Sequence, residues 1–209
     1  SLIFESFGSS LTTIGDWAFA FCSDIMGSLA IPDAVTTIGN MAFGYCNFND
    51  GTLTLGNSVT SIGQGAFRNC GFSGTLSIPN SVTTIGDEAF YDCSGFSELI
   101  VGDSIATIGE SAFDGCTGFT GLLTIPSTVT SIGQSAFKNC SGFTWVYYQA
   151  INCADVTAED KPFEGCGGSL FIGYQVERIP AYMFYNCRNF TGSLTIPNSV
   201  TTIGEYAFT

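Results

Sequence analysis

The residues with the most chemical potential in this chain are its nine cysteines. Eight of them keep a schedule. Cys22, Cys46, Cys70, Cys93, Cys116, Cys140, Cys166 and Cys187 each stand three residues after a phenylalanine: Phe19, Phe43, Phe67, Phe90, Phe113, Phe137, Phe163 and Phe184. Cysteine-rich chains form disulfides or hold metals. One cysteine per repeat favours neither. Stacked about 5 Å apart, from the strand spacing, the thiols lie within bonding reach. Identical side chains in a parallel stack point the same way, however, which suits the disulfide torsion poorly. The reading is a column of reduced, buried thiols acting as small hydrophobes, with one or more bridges as the alternative. A one-dimensional column cannot supply the tetrahedral cage of zinc. Cys153 is out of step, and the pattern gives it no role.

Other chemistry is sparse. The chain has no histidine, so the commonest general base and the commonest metal ligand are both missing. No nucleophile sits in a G-x-S-x-G elbow; "GTLTLG" and "IGQSAF" are repeat text. The sequence names no catalytic residue, metal ligand or cofactor, although a glycosidase-like carboxylate pair stays open. Asp16, Asp87, Glu110 and Glu205, with Gln64 and Gln134, follow "IG". They are expected to cap the N–H groups of the turn that follows them. Calcium is the weaker alternative, since no EF-type or nonapeptide motif occurs. The net charge is −13 with five basic residues, which argues against nucleic acid or anionic lipid as a partner. No apolar run approaches the ~20 residues that span a bilayer as a helix. Only 11% of the residues are charged, so Ser, Thr, Asn and Gly must cover much of the surface.

These residues are positioned by a repeat. The isoleucines of "IG" or its variant fall at Ile14, Ile38, Ile62, Ile85, Ile108, Ile132, Ile179 and Ile203, mostly 23 or 24 residues apart. Phe208 extends the phenylalanine series to the end of the chain. In Leu76 to Phe96, Leu76 and Ile78 alternate inward as a short strand. Pro79 ends it. Val82 and Ile85 form a second apolar pair, and "DEAFYDC" has the spacing of one helical turn with Ala89, Phe90 and Cys93 inward. One unit cannot bury its own apolar face; stacked copies can.

The segments "SVTTIGDEAFYDC" and "TVTSIGQSAFKNC" and their relatives resemble the BspA-like leucine-rich repeats, related to the Treponema type, over almost the whole chain. The resemblance implies a leucine-rich repeat solenoid with a parallel β-sheet along one face. Short second strands and single helical turns would occupy the other, in about eight to nine coils. It also implies a secreted or surface-anchored protein used in adhesion, whose partner is another protein, such as host matrix or another cell surface, or a glycan. Residues 1–209 are read as one solenoid. The chain starts in a poor first repeat ("ESFGSSL") and stops after "AF", so a longer natural chain is expected, or end-to-end self-association.

One repeat is irregular, about residues 144–169. "WVYY" supplies a strand with Val146 and Tyr148 inward, and "LFI" supplies the next, with Leu170 and Ile172 inward. Val-x-x-Ile is read as lost between them, with a longer segment before Phe163 and a shorter one after Cys166. On the outward face of the strands most residues are small and polar. Ile100, Leu122, Trp145, Tyr147 and Phe171 are not, and they are expected to form one partner-binding patch, unless the irregular loop or a neighbouring domain covers it. Thr37, Ser61, Thr84, Thr107, Ser131 and Thr202 form an outward ladder on the second strand, read as plain β-formers before ice binders. Asn139-Cys140-Ser141 and Asn189-Phe190-Thr191 fit the glycosylation sequon. Function is therefore expected to be adhesion or protein interaction through the sheet face, with a structural stalk as the alternative and no catalysis.

Overall fold

Each coil must seal its apolar side against the coils above and below, and the computed structural model shows how. It describes residues 10–209; most of the poor first repeat lies outside them. In chain order the strands are β1 (Thr13–Ile14), β2 (Leu29–Ala30), β3 (Thr37–Ile38), β4 (Leu53–Thr54), β5 (Ser61–Ile62), β6 (Gly74–Ser77), β7 (Thr84–Ile85), β8 (Phe96–Ile100), β9 (Thr107–Ile108), β10 (Gly121–Ile125), β11 (Ser131–Ile132), β12 (Phe143–Tyr148), β13 (Ser169–Ile172), β14 (Arg178–Ile179) and β15 (Thr202–Ile203). All pairings are parallel and join one coil to the next, giving a solenoid of about eight coils.

The second strands form one six-stranded ladder, β1-β3-β5-β7-β9-β11, and resume as β14-β15. The leucine-bearing strands form the other face in three pieces: β2-β4, β6-β8 and β10-β12-β13. Inside, equivalent residues stack in columns. The rings of Phe43, Phe67, Phe90, Phe113 and Phe137 lie parallel with centroids 5.2–5.4 Å apart. A second column, Phe48-Phe72-Phe96-Phe119-Phe143, meets the first edge-on. Burying a phenylalanine contributes about 1.5–3 kcal/mol, so these columns hold the stack together. The glycine of "IG" is required by the close approach of coils. A Cβ on Gly86 would lie 2.7 Å from the Gln64 backbone nitrogen.

The expected helical turns are not helices; among the described residues there is no α-helix. In "DEAFYDC" the backbone alternates instead. Glu88 and Asp92 take φ of 54°. Glu88, Phe90 and Asp92 donate their N–H groups to the carbonyls of Glu110, Ala112 and Asp114 in the next coil. Ala89, Tyr91 and Cys93 donate to Gly86, Glu88 and Phe90 within their own. A helix bonds its N–H groups only within its own segment and leaves the first four unpaired; this turn sends half of them to the next coil, so the stacked neighbour replaces the helical ladder. Ala89, Phe90 and Cys93 still point inward, as the spacing requires.

The polar residues after "IG" are reassigned for the same reason. Asp16, Asn40 and Asp87 accept N–H groups of Asn40, Gln64 and Glu110 at 2.7–2.8 Å, one coil further on, instead of capping their own turn. Asp33 and Asn80 do the same from the turn after the first strand. The threonine before the second strand staples the other way: Thr36, Thr60 and Thr83 hydroxyls donate to carbonyls of the preceding coil.

All nine cysteines are unpaired. Six thiols, on Cys46, Cys70, Cys93, Cys116, Cys140 and Cys166, each donate to a phenylalanine carbonyl one coil back, at 2.9–3.1 Å. Burial pushes the Cys93 thiol up to about 12 and Cys46 to about 11. The thiolate, the reactive form, is therefore suppressed at these two positions.

Candidate interaction surface

The irregular coil runs from β12 to β13 without breaking the stack. Ala154 N–H donates to the Thr130 carbonyl as Thr130 N–H does to Ala106. This register shows that Val-x-x-Ile is not lost; it is rewritten. Cys153 lies 24 residues after Val129 and 23 before Val176, and all three are buried. Val156 takes the isoleucine column and packs partly buried against the core. The out-of-step cysteine is thus the valine of its coil. The extra residues fall in the turn before Phe163, and the shortening after Cys166 removes a member of the second phenylalanine column, leaving Gly167 and Gly168. The second strand does not form here. Asp155 instead pairs with Arg178 and accepts the Ala181 N–H at 2.7 Å, which holds its carboxyl below the usual range, the backbone bond contributing most. Arg178 also donates to the Cys153 carbonyl at 3.3 Å.

Tyr148 takes the place of an isoleucine and is fully buried. Its ring meets Phe184 edge-on with centroids 5.4 Å apart. Its hydroxyl faces the Cys153 thiol but makes no hydrogen bond of good geometry. Burial drives its acidity far down.

On the outer side of the leucine-bearing strands the five residues expected to form a patch can be located. Leu122 is paired opposite Trp145, and Tyr147 opposite Phe171. The Trp145 and Phe171 rings meet diagonally, centroids 5.4 Å apart and tilted by 38°. These four share one sheet. Ile100 ends β8, across a seam where β8 packs beside β10 without ladder bonds. Ile100, Leu122, Trp145 and Phe171 are 45–49% exposed, so the irregular loop does not cover them. Tyr147 is half-buried between its neighbours. Around them stand Thr75, Ser77, Thr124 and Ser169, and one carboxylate, Glu98, bonded by the Thr75 hydroxyl at 2.9 Å.

A second exposed aromatic group lies on the turn edge and is missing from the sequence reading. Trp17, Phe21 and Tyr45 are exposed; Phe21 and Tyr45 stack at 5.0 Å. Arg68 reaches over Tyr91, 4.5 Å from its centroid, and over Tyr45 at 5.8 Å, while pairing with Glu88. The signal was present in the columns. Where Phe21 and Tyr45 stand with φ of 60°, the other coils have Asn69, Asp92, Gly115, Asn139, Gly165 and Asn186. Those residues tolerate a left-handed backbone, and bulky ones do so at a cost. Among the described residues no cluster of His, Cys, Asp and Glu could hold a metal.

A parallel stack of 23–24-residue coils, stapled by buried phenylalanine and cysteine columns, defines a leucine-rich repeat protein. The pattern of the BspA type leucine rich repeat region matches six copies over residues 2–120 and 157–209, and the chain belongs to that family. Among solved structures it is similar to a T. pallidum leucine rich repeat protein (20% identity, covering 87% of this chain and 72% of that one, TM-score 0.54). It is also similar to a leucine-rich repeat protein from Bacteroides ovatus (23% identity, 95% and 68% covered, TM-score 0.41). A leucine rich cell surface protein from Faecalibacterium prausnitzii is a third (21% identity, 95% and 60% covered, TM-score 0.44). A search of curated proteins finds no significant match. Among the described residues no helix is long and apolar enough to cross a membrane. The stretch that the family pattern leaves unmatched, residues 121–156, contains Leu122, Trp145 and Tyr147.

Proposed function

We propose that this chain is the non-catalytic interaction module of a cell-surface or secreted protein and binds a protein or glycan partner through its leucine-strand sheet. One observation carries the reading: three large apolar side chains, Leu122, Trp145 and Phe171, stand half-exposed together on a face where Thr and Ser predominate. The irregular coil needs neither Trp145 nor Tyr147 for its own core, which is filled from the other side of the strand by Val146 and Tyr148. Aromatic side chains ringed by small polar groups are the usual anchors of an interface. The rewritten coil between Trp145 and Phe171 fits a surface particular to this chain.

The test is capture from a panel of extracellular matrix proteins and glycans by the unaltered chain and by a Trp145→Ser, Tyr147→Ser double variant. Specific capture lost in the variant supports the reading; equal capture by both rejects the patch. The alternative is a stalk or self-assembling element. Growth of light scattering with concentration, unaffected by the sheet-face variant, would favour it.

A further inference from the structure

The sheet-face patch has an electrostatic setting that narrows its partner. The chain carries 18 acidic and five basic residues. Four of the five cations are committed within the molecule: Arg68 to Glu88, Lys138 and Lys161 to Glu164, and Arg178 to Asp155. None of these pairs lies on the leucine-strand face. There the only charge beside the apolar patch is Glu98, held by Thr75 one strand from Leu122. Its carboxylate has no cation among the described residues.

The turn edge shows what such a combination does when a cation is supplied. Arg68 lies over the rings of Tyr91 and Tyr45 and pairs with the Glu88 carboxylate. The sheet face offers the same ingredients, an aromatic pair in Trp145 and Phe171 and a carboxylate in Glu98, with the cation missing. A guanidinium is attracted to aromatic faces and to carboxylates alike. A field of net negative charge also steers basic partners toward the molecule and repels acidic ones.

We infer that the partner of the sheet face is a basic polypeptide segment whose arginine or lysine side chains alternate with bulky apolar ones. The apolar groups pack on Leu122, Ile100 and Phe171, one cation meets Glu98, and another lies over Trp145. Trp145 and Glu98 stand on strands two apart, so two cations are required, not one. The inference rests on the sheet-face reading above and adds the chemistry of what binds there.

Three synthetic peptides test it by fluorescence anisotropy with the full chain: arginine alternating with leucine, arginine with serine, and glutamate with leucine. The arginine–leucine peptide should bind best and should weaken by roughly tenfold from low to high salt. Glu98→Gln should weaken it by roughly fivefold and flatten the salt dependence. The Trp145→Ser, Tyr147→Ser variant should lose it while keeping the unaltered circular dichroism spectrum. If the glutamate–leucine peptide binds as tightly and is lost in the double variant, the patch stands and the basic-partner inference falls. Arginine–leucine binding that survives the double variant overturns the sheet-face reading itself. Equal binding of arginine–serine, or no binding of arginine–leucine, overturns the inference.

Discussion

The coil from Leu123 to Phe143 and the coil that follows it, from Val146 to Gly168, solve the same packing problem with different text. The first uses the chain's regular phrase: Val129 and Ile132 inward, Ser131 in the second ladder, Phe137 and Phe143 in the ring columns, and Cys140 bonded to the Phe113 carbonyl. The second keeps Phe163 and Cys166 in their columns but substitutes Cys153 for valine, Tyr148 for isoleucine and two glycines for the second phenylalanine. Its second strand is replaced by an ion pair and side-chain bonds around Asp155 and Arg178. The inner columns are therefore the constraint, and the outer backbone is negotiable. Only residues that neighbouring coils must touch are held to type, and the outward positions of β12, the strand that opens this coil, carry Trp145 and Tyr147.

The largest expected break in this comparison is alkaline. Burial raises the thiols of the regular coils, Cys93 to about 12 from 9.0, while unfolding returns them to ordinary values. A folded value above the unfolded one means that the fold keeps its protons longer, so the thiols' contribution is constant below about pH 9 and is lost from pH 9 to 12. Several thiols contribute at once, so denaturant titrations across that window should show progressive loss of the fold. A flat profile would contradict the buried-thiol column. Replacing Phe113 with Ala should cost about 3–5 kcal/mol, read as a shift in urea midpoint. Phe163→Ala should cost less, because its ring already tilts by 30° from Phe184. Equal losses would mean that the irregular coil is packed as tightly as the rest.

Removing the Asp155 carboxylate with Ala should cost about 1–2 kcal/mol, since it holds both a charged partner and a backbone N–H. Asp87→Ala, which loses only the Glu110 N–H, should cost about 1 kcal/mol or less. The smallest change is Cys153→Val, restoring the residue that the column has elsewhere. It should alter stability by less than about 1 kcal/mol; a large loss would show that the Tyr148–Cys153 contact matters more than the column.

Much of this was legible because the repeat makes columns, and columns make burial readable. Leu76, Ile78, Val82, Ile85, Phe90 and Cys93 are inward as their spacing requires. The outward positions of Trp145 and Phe171 follow from the two-residue period of a strand. What was not legible depended on bonds between coils. The 3–4 spacing of "DEAFYDC" is shared by a helical turn and by a chain of tight turns, and only the carbonyls of the next coil decide between them. The carboxylate of Asp87 was assigned to its own turn because sequence shows the nearest N–H, not the stacked one. Cys153 was missed because cysteine elsewhere marks another column, and only register identifies it with Val129. Phe21 and Tyr45 are the converse case: the Asn, Asp and Gly of the other coils mark their column as left-handed and outward, a signal that shows only when the column is read instead of the phenylalanine content.

The central claim is that each coil is sealed only by its neighbours, so one may be removed without damage to the others. Deleting one whole repeat, Ile85 to Thr107, joins Thr84 to Ile108 and leaves the phrase intact. Urea denaturation of this shortened chain, followed by circular dichroism, should give one cooperative transition with a native spectrum per residue and a lower midpoint. A chain that no longer folds, or that folds with its cysteines open to thiol reagents, would contradict the account.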